Sequence, residues 1–446
     1  MKLHETRALP STPSAASAPA PRRERAAALS REILEIVFGP IERWSFAVRL
    51  WDGSAFGGAR PRFVLVLCEP SALRATLHPP LDLSPGRAYV EGTIDLEGDV
   101  EAAVDVIAAA TERLSARALA AVAWRMRALP KPPAASNERA ARLRGRVHSR
   151  ARDAAAIGFH YDQPVAFYRT FLGDELAYSC AYYPTGRETL EEAQRAKIDY
   201  SLRKLRVRPG ERLLDIGCGW GALVVRAAQR FGVKALGITL SRRQFEEARR
   251  RIAAAGLEDS AQVELRDYRE IDRLVAAKGP FDKIVSIGMV EHVGRSRLAG
   301  YFEKAFAALR PGGLFLNHGI SEQSPKRRGF RAGGSFLGRY VFPDGELLPV
   351  SEDLAFAERA GFEVRDVENL REHYARTLRE WVSNIEANRD AAIAAADERT
   401  YRIWRLYMAG SAQGFNRARM GVFQALLAKP ERGVVALPTT RDDLYR

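Results

Sequence analysis

Leu213-Leu214-Asp215-Ile216-Gly217-Cys218-Gly219-Trp220-Gly221 decides the fold. Leu213 to Ile216 reads as a strand, and the glycines after it as a turn that opens a helix running to about Phe231. Glycine lets the backbone turn sharply and approach a ligand with no Cβ in the way. The helix behind such a turn offers unpaired N–H groups to a polar ligand. Outward from this loop, short strands alternate with helical stretches. Strands are expected at Lys234 to Ile238, Gln262 to Leu265, Lys283 to Ile287 and Leu314 to Asn317, with a helix from about Ser241 to Ala255. This alternation predicts an α/β fold, a doubly wound and mostly parallel sheet with helices on both faces. Ligands of such sheets bind at the carboxyl ends of the strands.

The loop alone admits two cofactors. Ala222, three residues past Gly219, permits the dinucleotide pattern of nicotinamide or flavin enzymes. The tighter G-x-G-x-G spacing after Asp215 looks like the S-adenosylmethionine loop of class I methyltransferases. Asp267 ends the third strand, where that superfamily places an acid near the adenine amine, and Leu309-Arg310-Pro311-Gly312-Gly313 supplies its turn before the fifth strand. One feature departs from the pattern. The second strand ends Gly237-Ile238-Thr239-Leu240-Ser241, without an acid for the ribose hydroxyls, so Thr239 and Gln244 are the nearest polar candidates.

The rest of the chain bounds the setting. It has 446 residues, 69 Lys plus Arg against 55 Asp plus Glu, a net charge of +14, and 46% hydrophobic residues, which excludes wholesale disorder. Cys68, Cys180 and Cys218 are too few and too widely spaced for a disulfide framework or a zinc cage, so no metal is expected and the compartment reads as reducing. No apolar run approaches the roughly 18 to 20 residues that span a bilayer. The N-terminus lacks the apolar core of a secretory signal, and Arg22-Arg23 is followed by none. Residues 1–28 read as a disordered tail rich in Ala, Pro, Ser and Arg, and 29–128 as an N-terminal accessory domain. That domain is expected to hold a strand at Arg62 to Cys68, strand and turn at Gly86 to Gly98, and helix from Val100 to Ala128. Leu129-Pro130-Lys131-Pro132-Pro133 opens a linker over 129–152, the main domain covers 153–430, and 431–446 is a C-terminal tail. Thr377 to Leu427 has a helical pattern, with Trp381, Ile385, Trp404, Tyr407, Met408 and Phe415 as core anchors.

The positive charge leaves nucleic acid, an anionic membrane or an acidic small molecule as partners. Amino-group methylases of nucleic acid bases carry Asn-Pro-Pro-Tyr or Asp-Pro-Pro-Tyr after the fourth strand. Here that place holds Ile287-Gly288-Met289-Val290-Glu291-His292. A carboxylate and an imidazole are different tools, which counts against nucleic acid.

LLDIGCGWG (213–221), GITLS (237–241) and IVSIGMVEHV (284–293) together resemble the cyclopropane-fatty-acyl-phospholipid synthase family, mycolic acid cyclopropane synthases included. So do His160-Tyr161-Asp162, Tyr178-Ser179-Cys180-Ala181-Tyr182, EAQRAK (192–197) and HYARTL (373–378), all in the family's order from about 155 to 428. Ala88-Tyr89-Val90-Glu91-Gly92 extends the likeness to the smaller N-terminal domain of phospholipid-acting members, so the accessory domain over 29–128 is expected to be lipid-associated. The resemblance implies a class I methyltransferase that moves the methyl group of S-adenosylmethionine onto the double bond of an unsaturated phospholipid acyl chain. Attack by the alkene leaves a carbocation, and loss of a proton from the added methyl group closes a cyclopropane. The pocket must be dry, because water would divert the cation, and a base must sit close to the new methyl group. In the family the base is a bound bicarbonate ion. Its implied holders here are Cys180, the backbone of Ile287, Glu291, His318 and Tyr374. The implied cofactor residues are Tyr178, Ser179, Asp215, Gly217, Gly219, Thr239, Leu240, Gln244, Asp267 and Tyr268.

Many members read Leu-His-Thr-Ile after the fifth strand, whereas this chain reads Asn317-His318-Gly319-Ile320. Ring closure and methyl branching both stay open at this point. Lys326 to Tyr340 combines cations, glycines and aromatics after the fifth strand and is a candidate membrane-contacting lid. The expected setting is the cytoplasm, at an anionic membrane surface that presents the phospholipid, with a homodimer among the possibilities and no nucleic acid. The rivals are an alkene methyltransferase making a branched chain, an RNA or small-molecule methyltransferase, and a lipid-binding module with a vestigial cofactor site.

Overall fold

The computed structural model describes residues 20–132, 141, 143–323, 330–331 and 335–445. The chain divides into two units, residues 1–137 and 138–446.

The first unit is α+β. Helix α1 (Ala20–Phe38) is followed by β1 (Ala47–Arg49), β2 (Ala55–Gly57), β3 (Phe63–Leu67), α2 (Ala72–Thr76), α3 (Ser84–Val90), β4 (Ile94–Gly98), α4 (Val100–Arg113) and α5 (Ala116–Met126). Helix α1 reaches back into the stretch read as a tail. The sheet order is β2-β1-β3-β4. The expectation of strand and turn over Gly86 to Gly98 holds only for its second half. Pro85 sits at the start of α3, where its fixed φ suits a helix and its missing N–H costs nothing. The long helix expected from Val100 is two helices. The backbone of Leu114 is extended, and the Ser115 side chain caps α5 by accepting from the Ala118 amide.

The second unit opens with α6 (Arg150–Tyr161), α7 (Val165–Leu172) and α8 (Leu190–Lys204). Alternation follows: β5 (Arg212–Ile216), α9 (Ala222–Phe231), β6 (Lys234–Thr239), α10 (Arg242–Ala254), β7 (Ala261–Leu265), α11 (Ile271–Lys278) and β8 (Phe281–Ile287). Next come α12 (Val290–Val293), α13 (Leu298–Ala308), β9 (Leu309–Glu322), β10 (Phe330–Arg331), α14 (Phe336–Tyr340) and β11 (Glu346–Leu347). The unit ends with α15 (Val350–Arg359), β12 (Glu363–Asn369), α16 (Arg371–Ala387), α17 (Arg389–Ala395), α18 (Glu398–Asn416) and β13 (Met420–Ala428). The seven-stranded sheet runs β12-β13-β9-β8-β5-β6-β7. Strands β9, β8, β5, β6 and β7 are parallel, and β13 is antiparallel to both of its neighbours. Apolar clusters cover both faces: Leu214, Ile284, Phe302 and Phe315 in one, Leu213, Val224, Val285 and Leu316 in the other.

The strand order reverses between β5 and β8, so their carboxyl ends frame a crevice. Strand β9 is far longer than the expected Leu314 to Asn317. The helical reading of Thr377 to Leu427 fails at its end, because Met420–Ala428 pairs along its whole length with β9. Its Leu and Ala content carries no strand signal, and tertiary pairing decides. The core anchors Trp381, Ile385 and Met408 are fully buried. Beyond β13 the chain packs back, with Leu444 buried and Asp443 paired to Arg206 at 2.7 Å. Residues 326–329 and 332–334 of the lid segment lie outside the described residues. Among the described residues no helix is long and apolar enough to cross a membrane.

Candidate active site

Two cavities open on the crevice. The first, about 1090 Å³ with its mouth, lies over the glycine loop. Gly217 takes φ +84°, and a Cβ there would come within 3.1 Å of the Met289 side chain. Gly237, beneath the loop on β6, has no room for a side chain at all. A Cβ would stand 2.7 Å from Cys218. These two glycines let the loop lie flat on the sheet, which leaves the cavity above it.

Nine of the ten expected cofactor residues line this cavity: Tyr178, Ser179, Asp215, Gly217, Gly219, Thr239, Leu240, Gln244 and Tyr268. The Thr239 hydroxyl donates to Gln244 Oε1 at 2.7 Å, which fixes the amide at the end of β6. Asp267 is not in the lining. Its carboxylate is held by Arg269, through the backbone amide at 2.9 Å and Nη2 at 2.7 Å, and Arg269 itself faces the cavity. Burial pushes the Asp215 carboxyl up to about 7, against the pull of Lys197.

Lys197, the last residue of EAQRAK (192–197), is not among the expected site residues. Gln194 and Lys197 stand three apart on α8, on one helix face. Gln194 Nε2 donates to the Ser179 carbonyl at 2.8 Å, and Lys197 Nζ to Ser179 Oγ at 2.7 Å. The lysine is only 3% exposed, and burial lowers its ammonium to about 8. Helix α8 is rich in charged residues, so nothing in the sequence marks Lys197 as buried.

The second cavity, about 910 Å³, brings together Cys180, Glu291, His318 and Tyr374. It shares Tyr161, Tyr178, Ser179, Gly288 and His292 with the first, so the two meet across those residues. Ile287, the fifth expected member, ends β8 and lines the cofactor side. The next residue, Gly288, faces both cavities and donates its amide to the His318 carbonyl at 2.9 Å. Rings of Tyr161, Tyr178, Phe342, Tyr407 and Phe415 form much of the wall, and Leu337 of α14 also faces it.

The polar groups are set as a complementary pair. Glu291 Oε1 accepts the Ile320 amide at 2.7 Å, while Oε2 is buried without a partner among the described residues. Burial pushes this carboxyl up to about 7. His318 on β9 lies opposite Gln424 on β13, whose amide donates to Nδ1 at 3.1 Å. Burial, with Lys197 and Lys204 behind it, lowers the imidazole to about 3. The ring is therefore neutral with its proton on Nε2, and that N–H, like Glu291 Oε2, is buried with no partner among the described residues. Cys180 is inert by comparison. Its Sγ points at the carbonyls of Ala181, at 3.2 Å, and Leu370, at 3.7 Å, and burial pushes the thiol up.

The altered neighbours of His318 have a packing cause. Adjacent strand residues face opposite sides of the sheet. Asn317 accepts from the Tyr301 hydroxyl at 2.9 Å, and a Cβ on Gly319 would stand 2.3 Å from Val290 Cγ1. Val290 occupies the space that a larger residue at 319 would need.

Known proteins resemble the chain in sequence and in fold. The profile of the family described as mycolic acid cyclopropane synthetase matches residues 148–425. A probable fatty acid methyltransferase of Pseudomonas putida is 42% identical over 402 residues, 90% of this chain and 96% of that protein. One from Mycobacterium tuberculosis is 38% identical over 420 residues, 91% and 96% of the two chains. Among solved structures, the mycolic acid cyclopropane synthase CmaA1 complexed with SAH and CTAB superposes with a TM-score of 0.57 at 34% identity, over 62% of this chain and 98% of that one. The cyclopropane synthase MmaA2 from Mycobacterium tuberculosis gives 0.58 at 33%, over 63% and 99%.

Proposed function

The chain belongs to the mycolic acid cyclopropane synthetase family, as an S-adenosylmethionine-dependent lipid C-methyltransferase, and from that premise we propose that it builds a cyclopropane on the double bond of an unsaturated phospholipid acyl chain. The observation that carries the reading is the pair of unpartnered buried groups, Glu291 Oε2 and His318 Nε2–H, on the wall of an aromatic cavity next to the cofactor cavity. S-adenosylmethionine supplies an electrophilic methyl group when bound. Lys197, Ser179 and the loop from Asp215 to Gly219 would hold and orient it. The aromatic rings keep water from the alkene and present π faces to the positive charge that develops on it.

Bicarbonate fits the donor set as the base. His318 Nε2–H and the Tyr374 hydroxyl offer hydrogen bonds to an anion, and Glu291, which burial holds protonated to about 7, adds no second full charge below that pH. A bicarbonate ion held there would supply the acceptor for the proton lost on ring closure. Lys197 and Lys204, the cations whose field lowers His318, offset the buried negative charge.

A second reading has one observation in its favour. Two relatives that match about nine-tenths of the chain are named probable fatty acid methyltransferases, which leaves methyl branching as the alternative outcome at the same alkene. The acceptor is tested with methyl-labelled S-adenosylmethionine offered to vesicles of unsaturated phospholipid, to free unsaturated fatty acid and to RNA. Label in the phospholipid acyl chains supports the reading. Label confined to free fatty acid or to RNA contradicts it. We further propose that the basic segment from Lys326 contacts the membrane, with the enzyme at the cytoplasmic leaflet.

A further inference from the structure

Helix α5 of the first unit has a face that its own unit does not cover. At 100° per residue, Ala116, Arg117, Leu119, Ala120, Ala123, Trp124 and Arg127 fall on one arc of about 160°. Every one of them is exposed, while Val122 on the opposite side is 5% exposed. Trp124 is 68% and Leu119 43% exposed. Arg125 lies on the inner side and pairs with Glu32 of α1 at 3.0 Å. Along the arc Leu119, Ala120, Ala123 and Trp124 make an apolar stripe, with Arg117 at one edge and Arg127 at the arc's centre, on the last turn where the helix ends. From Arg113 to Lys131 the sequence has five cations, Arg113, Arg117, Arg125, Arg127 and Lys131, and no acid.

We infer that the exposed face of α5 docks on an anionic phospholipid bilayer, with Trp124 and Leu119 entering the interface and the arginines resting on headgroup phosphates. Charge complementarity points to an anionic partner, and the apolar arc decides which kind. A nucleic acid backbone would use the cations and leave Leu119 and the alanines idle. A bilayer takes both, because tryptophan and leucine partition into the interfacial region while cations meet anionic headgroups. Arginine stems can lie along the apolar surface with the charge held outward. The inference rests on the phospholipid acceptor proposed above, because it explains how an enzyme without a membrane-spanning helix among the described residues reaches that acceptor. It is independent of the Lys326 segment.

The test is cosedimentation of the full chain with vesicles of phosphatidylcholine alone and with one part in four phosphatidylglycerol. The expected result is that Leu119→Ser/Trp124→Ser and Arg117→Glu/Arg127→Glu each weaken partition to the anionic vesicles by about tenfold or more, with thermal melts unchanged. Brominated acyl chains provide a second readout that survives a misfolded double variant. They quench the wild type, and the conservative Trp124→Phe removes that quenching. Partition or quenching equal to wild type overturns the inference. So does a dimer that the α5 variants turn into a monomer without loss of vesicle binding, since the face would then join two copies. Tighter binding to RNA than to anionic vesicles, lost in the arginine variant, overturns it as well. Vesicle partition requires no methyl transfer, so loss of the acceptor reading with docking intact is distinguishable from the reverse.

Discussion

Gln424 lies directly across the sheet from His318 and donates its side-chain amide to Nδ1 at 3.1 Å. A neutral imidazole has one N–H, so this contact settles which nitrogen carries it. The proton on Nε2 faces the second cavity because Gln424 occupies the other side. Replacing the glutamine with methionine keeps the volume and releases the tautomer. Gln424→Met should lower turnover about tenfold, on the scale of one hydrogen bond, with the affinity for S-adenosylhomocysteine unchanged. Calorimetry beside single-turnover kinetics checks both halves. Equal losses in binding and turnover would place the effect in the fold instead.

Glu291 makes stability depend on pH. Its folded pKa is raised from 4.5 to about 7 by burial, so between those values the folded protein holds a proton that the unfolded chain has released. Stability from this group therefore falls as pH rises through that window, by about 3 kcal/mol in all at roughly 1.4 kcal/mol per unit. Glu291→Gln has no such proton. Relative to wild type it should gain about 3 kcal/mol between pH 4.5 and pH 8 in urea melts. Parallel stability curves would show that the carboxyl is not buried as described.

Lys197 links the cofactor cavity to the loop between α7 and α8 that carries Cys180. Its ammonium donates to Ser179 Oγ at 2.7 Å and offsets the charge of Asp215. Lys197→Met should weaken S-adenosylmethionine binding about tenfold or more, the scale of a hydrogen bond to a charged group. Lys197→Arg should not restore it, because a planar guanidinium does not fit a slot shaped for a compact ammonium. Equilibrium binding of S-adenosylhomocysteine measures this without turnover.

Gly319 and Val290 share one space. A Cβ on Gly319 would stand 2.3 Å from Val290 Cγ1. Gly319→Thr should destabilise the protein by about 1–3 kcal/mol through overpacking. Adding Val290→Ala should recover most of that loss, and a double-mutant cycle on thermal melts reads the coupling. Additive losses would mean that the two positions do not touch.

Where the sequence was legible, local chemistry and tertiary structure agreed. The alternation around Asp215 to Gly221 gave the parallel strands, because each βα unit carries its own turn and period. The four side chains expected around an anion, Cys180, Glu291, His318 and Tyr374, line one cavity. What escaped was long-range. Met420–Ala428 looks helical by composition and becomes a strand only because β9 is there to pair with it. Gln424, which orients His318, could not be found without that pairing. Asp267 does not line the cofactor cavity, and its carboxylate accepts from Arg269, two residues on, a contact the sequence did not signal. Ser84–Val90 became a helix on the strength of one proline at its start. The exposed arc of α5 was hidden inside an alanine-rich stretch that read as ordinary helix.

Ring closure and branching differ in where one hydrogen goes. With S-adenosylmethionine whose transferred methyl carries three deuterium atoms, closing the ring expels one of them, so the added carbon of a cyclopropane keeps two. The account predicts a phospholipid acyl chain with a CD2 group, seen by mass spectrometry and placed in a three-membered ring by NMR. An acyl chain that keeps a full CD3 group, with no ring signal, would contradict it.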